Sequence, residues 1–174
     1  MAAGLLRHRL DQLDVDIDVG SAGFTLHGKP VDRKAVAAME RRGIDISEHR
    51  SQLVSPALID AALIVVVTVQ RHGRDIVECR PAAMCKTFTL KELVRRGRDA
   101  GPQRDNEDAD EWIDRVHSGR PIDTFVGSAP EMDIDDPLGR SWRTFESTAD
   151  EIDSHLAELV GLWWPELASH PVHG

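Results

Sequence analysis

The chain is poor in cysteine and contains no long apolar run, and each of these two shortages excludes a class of protein. It also contains no tyrosine. Its two cysteines, Cys79 and Cys85, are too few for a disulfide framework, which favours a reducing compartment such as the cytoplasm. Without an apolar run of about 18 residues, the sequence predicts no membrane span. The net charge of −9 argues against nucleic acid or an anionic membrane as the main partner.

The remaining composition is typical of one globular domain. With 174 residues, of which 41% are hydrophobic, the chain is long enough to bury a core. Helical and strand-like segments alternate along it, which predicts an α/β fold with a small doubly wound parallel sheet flanked by helices. We expect this domain to span residues 1–165 and residues 166–174 to form a flexible tail.

Three segments are predicted to be strands. Residues 15–19 alternate apolar and acidic side chains with period two, as a half-buried strand does. Residues 63–67 are apolar on both faces, which is typical of a central parallel strand. Residues 83–88 form a shorter candidate.

Capping residues indicate where several helices begin. Asp32 and Ser55 stand at N-cap positions, and Pro56 suits a first helical position. Thr89 and Glu92 have the spacing of a capping box. The predicted helices are, in chain order, residues 1–10, residues 32–42, a helix that begins at Pro56, and residues 89–96, 110–117 and 142–163.

The first ten residues resemble the inside of a helix that has no beginning. They contain no N-cap and no acidic first turn, and no strand precedes them. In a right-handed βαβ unit, this helix would cross over from an earlier strand to residues 15–19. The sequence therefore predicts that the first strand of the sheet and the turn after it are absent from this chain, which leaves two alternatives: a true start that lies upstream, or a genuinely short protein.

Four short segments, taken in order, carry a resemblance to a known family. They are Met1–Leu6, then Ser21-Ala22-Gly23 with Gly28-x-Pro30-x-Asp32, then Gly43–Ser51, and finally Asp135-Asp136-Pro137-Leu138-Gly139. Together they resemble the low-molecular-weight protein-tyrosine phosphatases. The first is similar to the helix that follows the family's phosphate-binding loop, Cys-x5-Arg-Ser-Pro, and the last is similar to its Asp-Pro loop.

The resemblance implies a mechanism and assigns roles to residues. In this family a cysteine thiolate attacks phosphorus, backbone N–H groups and an arginine hold the phosphoryl group, and an aspartic acid protonates the leaving group. The acid corresponds to Asp136. His49 and Ser21 correspond to positions that brace the phosphate loop by hydrogen bonding. Leu138 stands where the family often has an aromatic residue that selects phosphotyrosine. The mechanism needs no metal and no cofactor.

The nucleophile and its loop are absent from the sequence as given. The sixth residue after Cys79 is Cys85, and the sixth after Cys85 is Lys91, so neither thiol begins a Cys-x5-Arg loop. We therefore expect this polypeptide to be inactive as a phosphatase. A chain whose start is extended upstream would act on a phosphorylated protein or a small phosphomonoester.

Two other functions remain open. The chain could be a non-catalytic binding module or the product of a decaying gene. It could also belong to the arsenate reductases of the same fold, which pass oxidation along a relay of further cysteines. Cys79 and Cys85 are candidates for that relay, although the relay needs the same absent first cysteine.

Overall fold

The structure is a computed structural model that describes residues 1–126 and 129–168. The chain forms two compact units. The first contains Met1–Val54 and Asp136–Ala157, and the second contains Ser55–Asp135 and continues from Glu158. Of the tail predicted for residues 166–174, residues 166–168 belong to a short helix, and the rest lies outside the described residues.

The first unit is built from helices α1 (Ala2–Gln12) and α2 (Arg33–Glu40) and the beginning of α7 (Trp142–Trp163). Met1 stands at the N-cap of α1 and makes no side-chain cap, and the helix buries Leu5 and Leu10. Asp32 caps α2 by accepting a hydrogen bond from the backbone N–H of Lys34 at 2.8 Å, which confirms that predicted start.

Packing and ion pairs hold the helices of the first unit together. Ala38 of α2 packs with Phe145 of α7 in a buried cluster. Arg9 of α1 pairs with Asp153 of α7 at 2.7 Å. Arg42, just after α2, pairs with Glu146 of α7 at 3.0 Å and also with Asp150.

The predicted strand at residues 15–19 is wrong. The segment after α1 turns at Asp14, which has φ +56°, and residues 15–20 form no backbone ladder with any described residue. A strand exists through its partner's backbone, so alternation alone cannot produce one. Consistent with this, the side chain of Ile17 is 45% exposed. Among the described residues, the backbone pairing of this unit consists of two isolated bridges, Gly23 with Leu53 and Pro30 with Arg50.

The second unit contains a parallel pair of strands, β1 (Val65–Val67) and β2 (Thr87–Thr89). Val66 pairs with Phe88, and all three residues of β2 are buried. Both predicted strands therefore exist, although each is shorter than expected. The central placement of residues 63–67 is wrong, because β1 pairs only with β2 among the described residues and Val66 is 40% exposed.

The start predicted for the second of these strands is also wrong. Residues Pro81–Lys86 form a 3₁₀ helix before β2. Pro81 fixes its own φ and suits the first turn of a helix. The Oγ1 of Thr87 donates to the carbonyl of Ala83 at 2.8 Å, and this bond ties the end of the turn to the beginning of the strand.

Helices flank this small parallel sheet, as the α/β prediction requires. In chain order they are α3 (Pro56–Ala61), α4 (Gln70–Cys79), α5 (Leu90–Ala100), α6 (Ala109–His117), the end of α7 and α8 (Pro165–Ala168). Within residues 1–126 and 129–168, no helix is both long enough and apolar enough to cross a membrane.

Thr89 caps α5, but the capping box predicted there is only half formed. The Oγ1 of Thr89 accepts from the backbone N–H of Glu92 at 3.1 Å. The carboxylate of Glu92 binds Arg120 instead, at 2.8 and 2.7 Å, and both side chains are buried. The Arg120 guanidinium also lies over the rings of Phe88 and Phe125.

The tryptophans are divided unequally between the two units. In the second unit, Trp112 contacts Trp163 with 5.1 Å between ring centroids, and Trp163 stacks on Trp164 at 5.3 Å. The indole N–H of Trp112 donates to the carbonyl of Gly101. In the first unit, the Arg41 guanidinium lies 4.7 Å above the ring of Trp142.

Candidate active site

A cavity of about 330 Å³ opens in the first unit at the beginning of α1. Its volume lies at the lower end of the range for small-molecule sites. Polar and charged side chains from α1 and from two loops line it together with a few small and apolar residues. The lining residues are Met1, Ala3, Gly4, Arg7, Ser21, Val31, Asp45, Ile46, Glu48 and His49.

The close approach of α1 to the loop after α2 depends on Gly4. A Cβ at this position would lie 2.9 Å from Cγ2 of Ile46 and 3.2 Å from Cε of Met39. The loop itself turns at Gly43, whose φ of +73° favours glycine. These two glycines let the lining residues of the loop reach the first turn of the helix.

Asp45 fixes the conformation of the loop that carries His49. Its Oδ1 accepts from the backbone N–H of Ser47 at 2.8 Å, which closes an Asx turn. The same hydrogen bond lowers the pKa of the Asp45 carboxyl. One turn later, the backbone N–H of His49 donates to the carbonyl of Ile46 at 3.2 Å. The backbone that carries His49 is therefore ordered by local hydrogen bonds.

The structure brings Ser21 and His49 together. The Oγ of Ser21 and the Nε2 of His49 are 3.4 Å apart, within hydrogen-bond distance. Although the residue is exposed, partial desolvation of the imidazole lowers the pKa of His49, and the Met1 ammonium, Arg7 and Arg50 lower it further. The lowered pKa favours the neutral imidazole, which can accept or donate a hydrogen bond.

Groups of both signs line the cavity at the first turn of α1: the Met1 amino group and Arg7 on one side of the balance, and the carboxylates of Asp45 and Glu48 on the other. The Arg7 guanidinium donates to the carbonyl of Val19, which fixes that side chain. Burial, followed by the charge of Arg7, lowers the pKa of the Met1 amino group. The N–H groups of a helix N-terminus add partial positive charge, which favours an anionic group or backbone carbonyls at the end of the cavity next to α1.

Asp136 and Leu138 lie in a loop of the same unit. Asp136 is exposed, and its Oδ1 accepts from the backbone N–H of Leu138 at 2.9 Å across the buried Pro137. Leu138 is 63% exposed. Neither Asp136 nor Leu138 is among the described residues that line the cavity. The structure thus brings Ser21 and His49 within hydrogen-bond distance, whereas Asp136 is outside the lining of that cavity.

Cys79 and Cys85 both lie in the second unit as free, exposed thiols. Cys79 is the last residue of α4. The Sγ of Cys85 donates to the carbonyl of Ala82 at 3.4 Å. In the part of the chain that the structure describes, no group of three or more His, Cys, Asp or Glu side chains could hold a metal ion.

Sequence reasoning did not single out Arg7 and Asp45. Arg7 follows Gly4 by three residues, so both lie on the same face of the helix. That face therefore has the glycine at which α1 approaches the loop and also the cationic side chain. Asp45 precedes Ser47 by two residues, which is the spacing of an Asx turn. The sequence spacings that indicate Arg7 and Asp45 occur in the first ten residues and in the segment Gly43–Ser51.

Comparison with known proteins connects the cavity to one family. The family described as low molecular weight phosphotyrosine protein phosphatase matches residues 1–108, a range that includes every residue lining the cavity. A probable low molecular weight protein-tyrosine-phosphatase, EpsP of Ralstonia solanacearum, is 34% identical over 131 residues. That similarity covers 68% of this chain and 87% of the relative.

Two further similarities widen the range of chemistry among the relatives. An arsenate reductase of Halalkalibacterium halodurans is 36% identical over 113 residues, which are 63% of this chain and 74% of the relative. Among solved structures, the YwlE arginine phosphatase from Geobacillus stearothermophilus superimposes with a TM-score of 0.68 at 26% identity. That match covers 99% of this chain and 89% of the other.

Proposed function

The chain belongs to the low molecular weight phosphotyrosine protein phosphatase family. We propose that it contains two components of a phosphatase active site, namely the residues that support the phosphate-binding loop and the general acid. The cavity at α1 supports a phosphate-binding loop, and Asp136 supplies the general acid. The observation that carries the proposal is the contact between Ser21 and His49, which lies in the matched region and at the beginning of the helix.

His49 and Ser21 support the loop by hydrogen bonding. A phosphate-binding loop needs its backbone N–H groups aimed at the phosphate oxygens, so its carbonyls must find donors elsewhere. Desolvation and then the charges of Arg7 and Arg50 lower the pKa of His49, which favours the neutral imidazole. The hydroxyl of Ser21 lies 3.4 Å from the Nε2 of that imidazole. This pair can supply donors without adding a charge that competes with the phosphate for the loop.

Asp136 acts as the proton donor to the leaving group. The N–H of Leu138 holds one carboxyl oxygen, which leaves the second oxygen available for proton transfer. The exposure of Asp136 allows a bulky substrate to reach the carboxyl group. After the leaving group departs, the same carboxylate accepts a proton from the attacking water.

The 174-residue chain alone does not turn over a phosphomonoester. The mechanism needs a thiolate whose loop ends in an arginine, and neither Cys79 nor Cys85 has an arginine at the sixth following position.

The substrate class is a phosphorylated protein or a small phosphomonoester. One relative is named as a tyrosine phosphatase and a structural neighbour as an arginine phosphatase, so the family accommodates both kinds of phosphorylated side chain. Leu138 is an exposed aliphatic residue that cannot stack on a phenyl ring as an aromatic side chain does. We therefore propose no restriction to phosphotyrosine. Free thiols fit a reducing compartment such as the cytoplasm.

Arsenate reduction is the second candidate function. It is favoured by the arsenate reductase among the relatives and by the exposure of both thiols. A cysteine relay predicts arsenate-dependent oxidation of thioredoxin, which Cys79→Ser would abolish. A phosphatase with two unrelated thiols would retain its activity in that variant.

Assays of two versions of the protein test the proposal. The 174-residue chain is assayed with p-nitrophenyl phosphate, phosphotyrosine peptide and phosphoarginine, and we expect no turnover. A longer version carries a strand and a Cys-x5-Arg-Ser-Pro loop before Met1, and we expect it to hydrolyse at least one of them. In that version Asp136→Asn should lower kcat about 10²–10⁴-fold, whereas Asp135→Asn should not. Turnover by the 174-residue chain would disprove the proposal, whereas inactivity of both versions would favour a binding module.

A further inference from the structure

The segment that leads to Asp136 is anchored in the second unit. Ile134 is 2% exposed, and its backbone N–H donates to the carbonyl of Thr68 at 2.7 Å, just beyond the end of β1. The carbonyl of Asp133 accepts from Nζ of Lys91 at 2.6 Å. Two consecutive residues are thus fixed immediately before the exposed residues Asp135 and Asp136.

The side chain of Asp133 makes a third contact, with the beginning of α4. Its Oδ1 accepts from the backbone N–H of Gln70 at 2.7 Å. Gln70 is the first residue of that helix, and its N-cap residue, Val69, makes no side-chain cap of its own. A carboxylate distant in sequence therefore satisfies one of the unpaired N–H groups and meets the positive end of the helix dipole.

Gln70 extends this anchor through its own buried side chain. Its Oε1 accepts from the backbone N–H of Ala129 at 2.9 Å, and its Nε2 donates to the carbonyl of Thr124 at 3.4 Å. The residue is 9% exposed. One residue at the beginning of α4 thus binds positions 124, 129 and 133, so the segment before the acid is held at several points.

We propose that Asp133 is a positioning residue for Asp136, an inference that rests on the role of Asp136 proposed above. Asp136 follows Ile134 by two residues, so it lies within about 7 Å of an anchored backbone. Asp133 fixes the segment before the acid, and the N–H of Leu138 fixes the carboxyl group itself. An acid must be held within a fraction of an ångström, because a displacement of about 1 Å can cost about 10²-fold in rate.

Three substitutions separate anchoring from a general effect on folding. Asp133→Ala removes the acceptor. Asp133→Asn removes the charge but keeps an oxygen that can accept from Gln70. Asp135→Ala is the matched control, because Asp135 is the exposed neighbour in the same segment.

The experiment measures amide resonances and hydrogen exchange in the 174-residue protein. In Asp133→Ala we expect the amides of Gln70 and Ile134 to exchange about tenfold faster and the Leu138 amide resonance to move. Asp133→Asn should return the exchange rates and the Leu138 resonance most of the way to those of the parent protein. Asp135→Ala should change neither. The indole N–H of Trp112, bonded to Gly101, reports whether the second unit stays folded.

Two outcomes would overturn the proposal. In one, the Ile134 and Leu138 amides are unchanged in Asp133→Ala while the Trp112 signal shows an intact fold. In the other, Asp135→Ala moves the Ile134 and Leu138 amides as far as Asp133→Ala does. If Asp133→Ala unfolds the protein, Lys91→Met removes a different contact of the anchor and should move the same two amides in the same direction.

A kinetic measurement separates this proposal from the proposed function. In the longer version carrying the Cys-x5-Arg-Ser-Pro loop, Asp133→Ala should lower kcat about 10–100-fold with little change in KM, since it misplaces the acid without touching the substrate. If Asp136→Asn has no effect on kcat there, the acid assignment fails. The amide measurements still decide whether Asp133 anchors the segment.

Discussion

Arg120 and Glu92 form a bidentate ion pair that is almost wholly excluded from solvent. The guanidinium binds both carboxylate oxygens, at 2.8 and 2.7 Å, and the exposed fractions of the two side chains are 0% and 4%. A third bond runs from Arg120 to the carbonyl of Met84 at 2.8 Å. Each charge is compensated only as long as the other is present.

We expect removal of one partner to destabilise the second unit strongly. Glu92→Ala or Arg120→Ala leaves a buried charge without its counterion, which costs about 3–5 kcal/mol in the free energy of unfolding. Urea unfolding followed by tryptophan fluorescence measures this loss. The paired replacement Glu92→Leu with Arg120→Met should cost much less, because no buried charge remains. If the free energy of unfolding of either single variant lies within about 1 kcal/mol of the parent's value, the pair is unimportant for stability.

We expect Gly73→Ala to destabilise the second unit although it raises helix propensity. A Cβ at Gly73 of α4 would lie 2.3 Å from Cε1 of Phe125, and two further ring atoms lie within 2.8 Å. The ring must move, at a cost of about 1–3 kcal/mol in the free energy of unfolding. Phe125→Leu in the same chain should recover part of that loss. Gly20→Ala is the control, since a Cβ there meets no atom within 4 Å. Stabilisation by Gly73→Ala would contradict the close contact.

The stability of the second unit should fall in acid through Glu107. Hydrogen bonds from Arg115 lower the pKa of Glu107 from 4.5 to about 2. Because the folded-state pKa is below the unfolded one, the stabilisation is complete above pH 4.5 and is lost as the pH falls towards about 2. Thermal unfolding across that interval should show a smaller dependence on pH in Glu107→Gln than in the parent. An unchanged slope would show that Glu107 is not responsible, and Asp105→Asn, an exposed aspartate of the same loop, serves as the control.

The pKa of His49 should respond to the charge on Arg7. Desolvation of the imidazole, the Met1 ammonium, Arg7 and Arg50 all lower it. In Arg7→Gln one of these cations is gone, so the pKa should rise towards the ordinary value of 6.5. Proton NMR titration of the imidazole measures the change. Arg33→Gln, at the beginning of α2, should leave the titration unaltered, and an unmoved midpoint in Arg7→Gln would contradict the electrostatic coupling.

The parts of the fold that local chemistry determines could be predicted from the sequence. Asp32, Ser55 and Thr89 each accept the hydrogen bond expected of a helix cap, because the donor lies only two or three residues away. The error at residues 15–19 has the opposite origin. Alternation indicates a strand, but a ladder needs a partner backbone that no described residue supplies.

Long-range partners explain the other errors. Glu92 has the spacing of a capping box, yet its carboxylate binds Arg120, 28 residues further along the chain. Helix α4 was not predicted, and its first backbone N–H is satisfied by Asp133 rather than by a local cap. For the site, resemblance identified Ser21 and His49, which the structure brings together.

The uneven distribution of tryptophan makes the two halves of the molecule optically distinct. Trp163 is within contact distance of both Trp112 and Trp164 in the second unit, so the emission of this group is coupled and changes when the contacts separate. Trp142 lies under Arg41 in the first unit. Replacing Trp142 with phenylalanine therefore leaves tryptophans only in the second unit. The difference between the fluorescence melting curves of the parent and of this variant then reports the melting of the first unit.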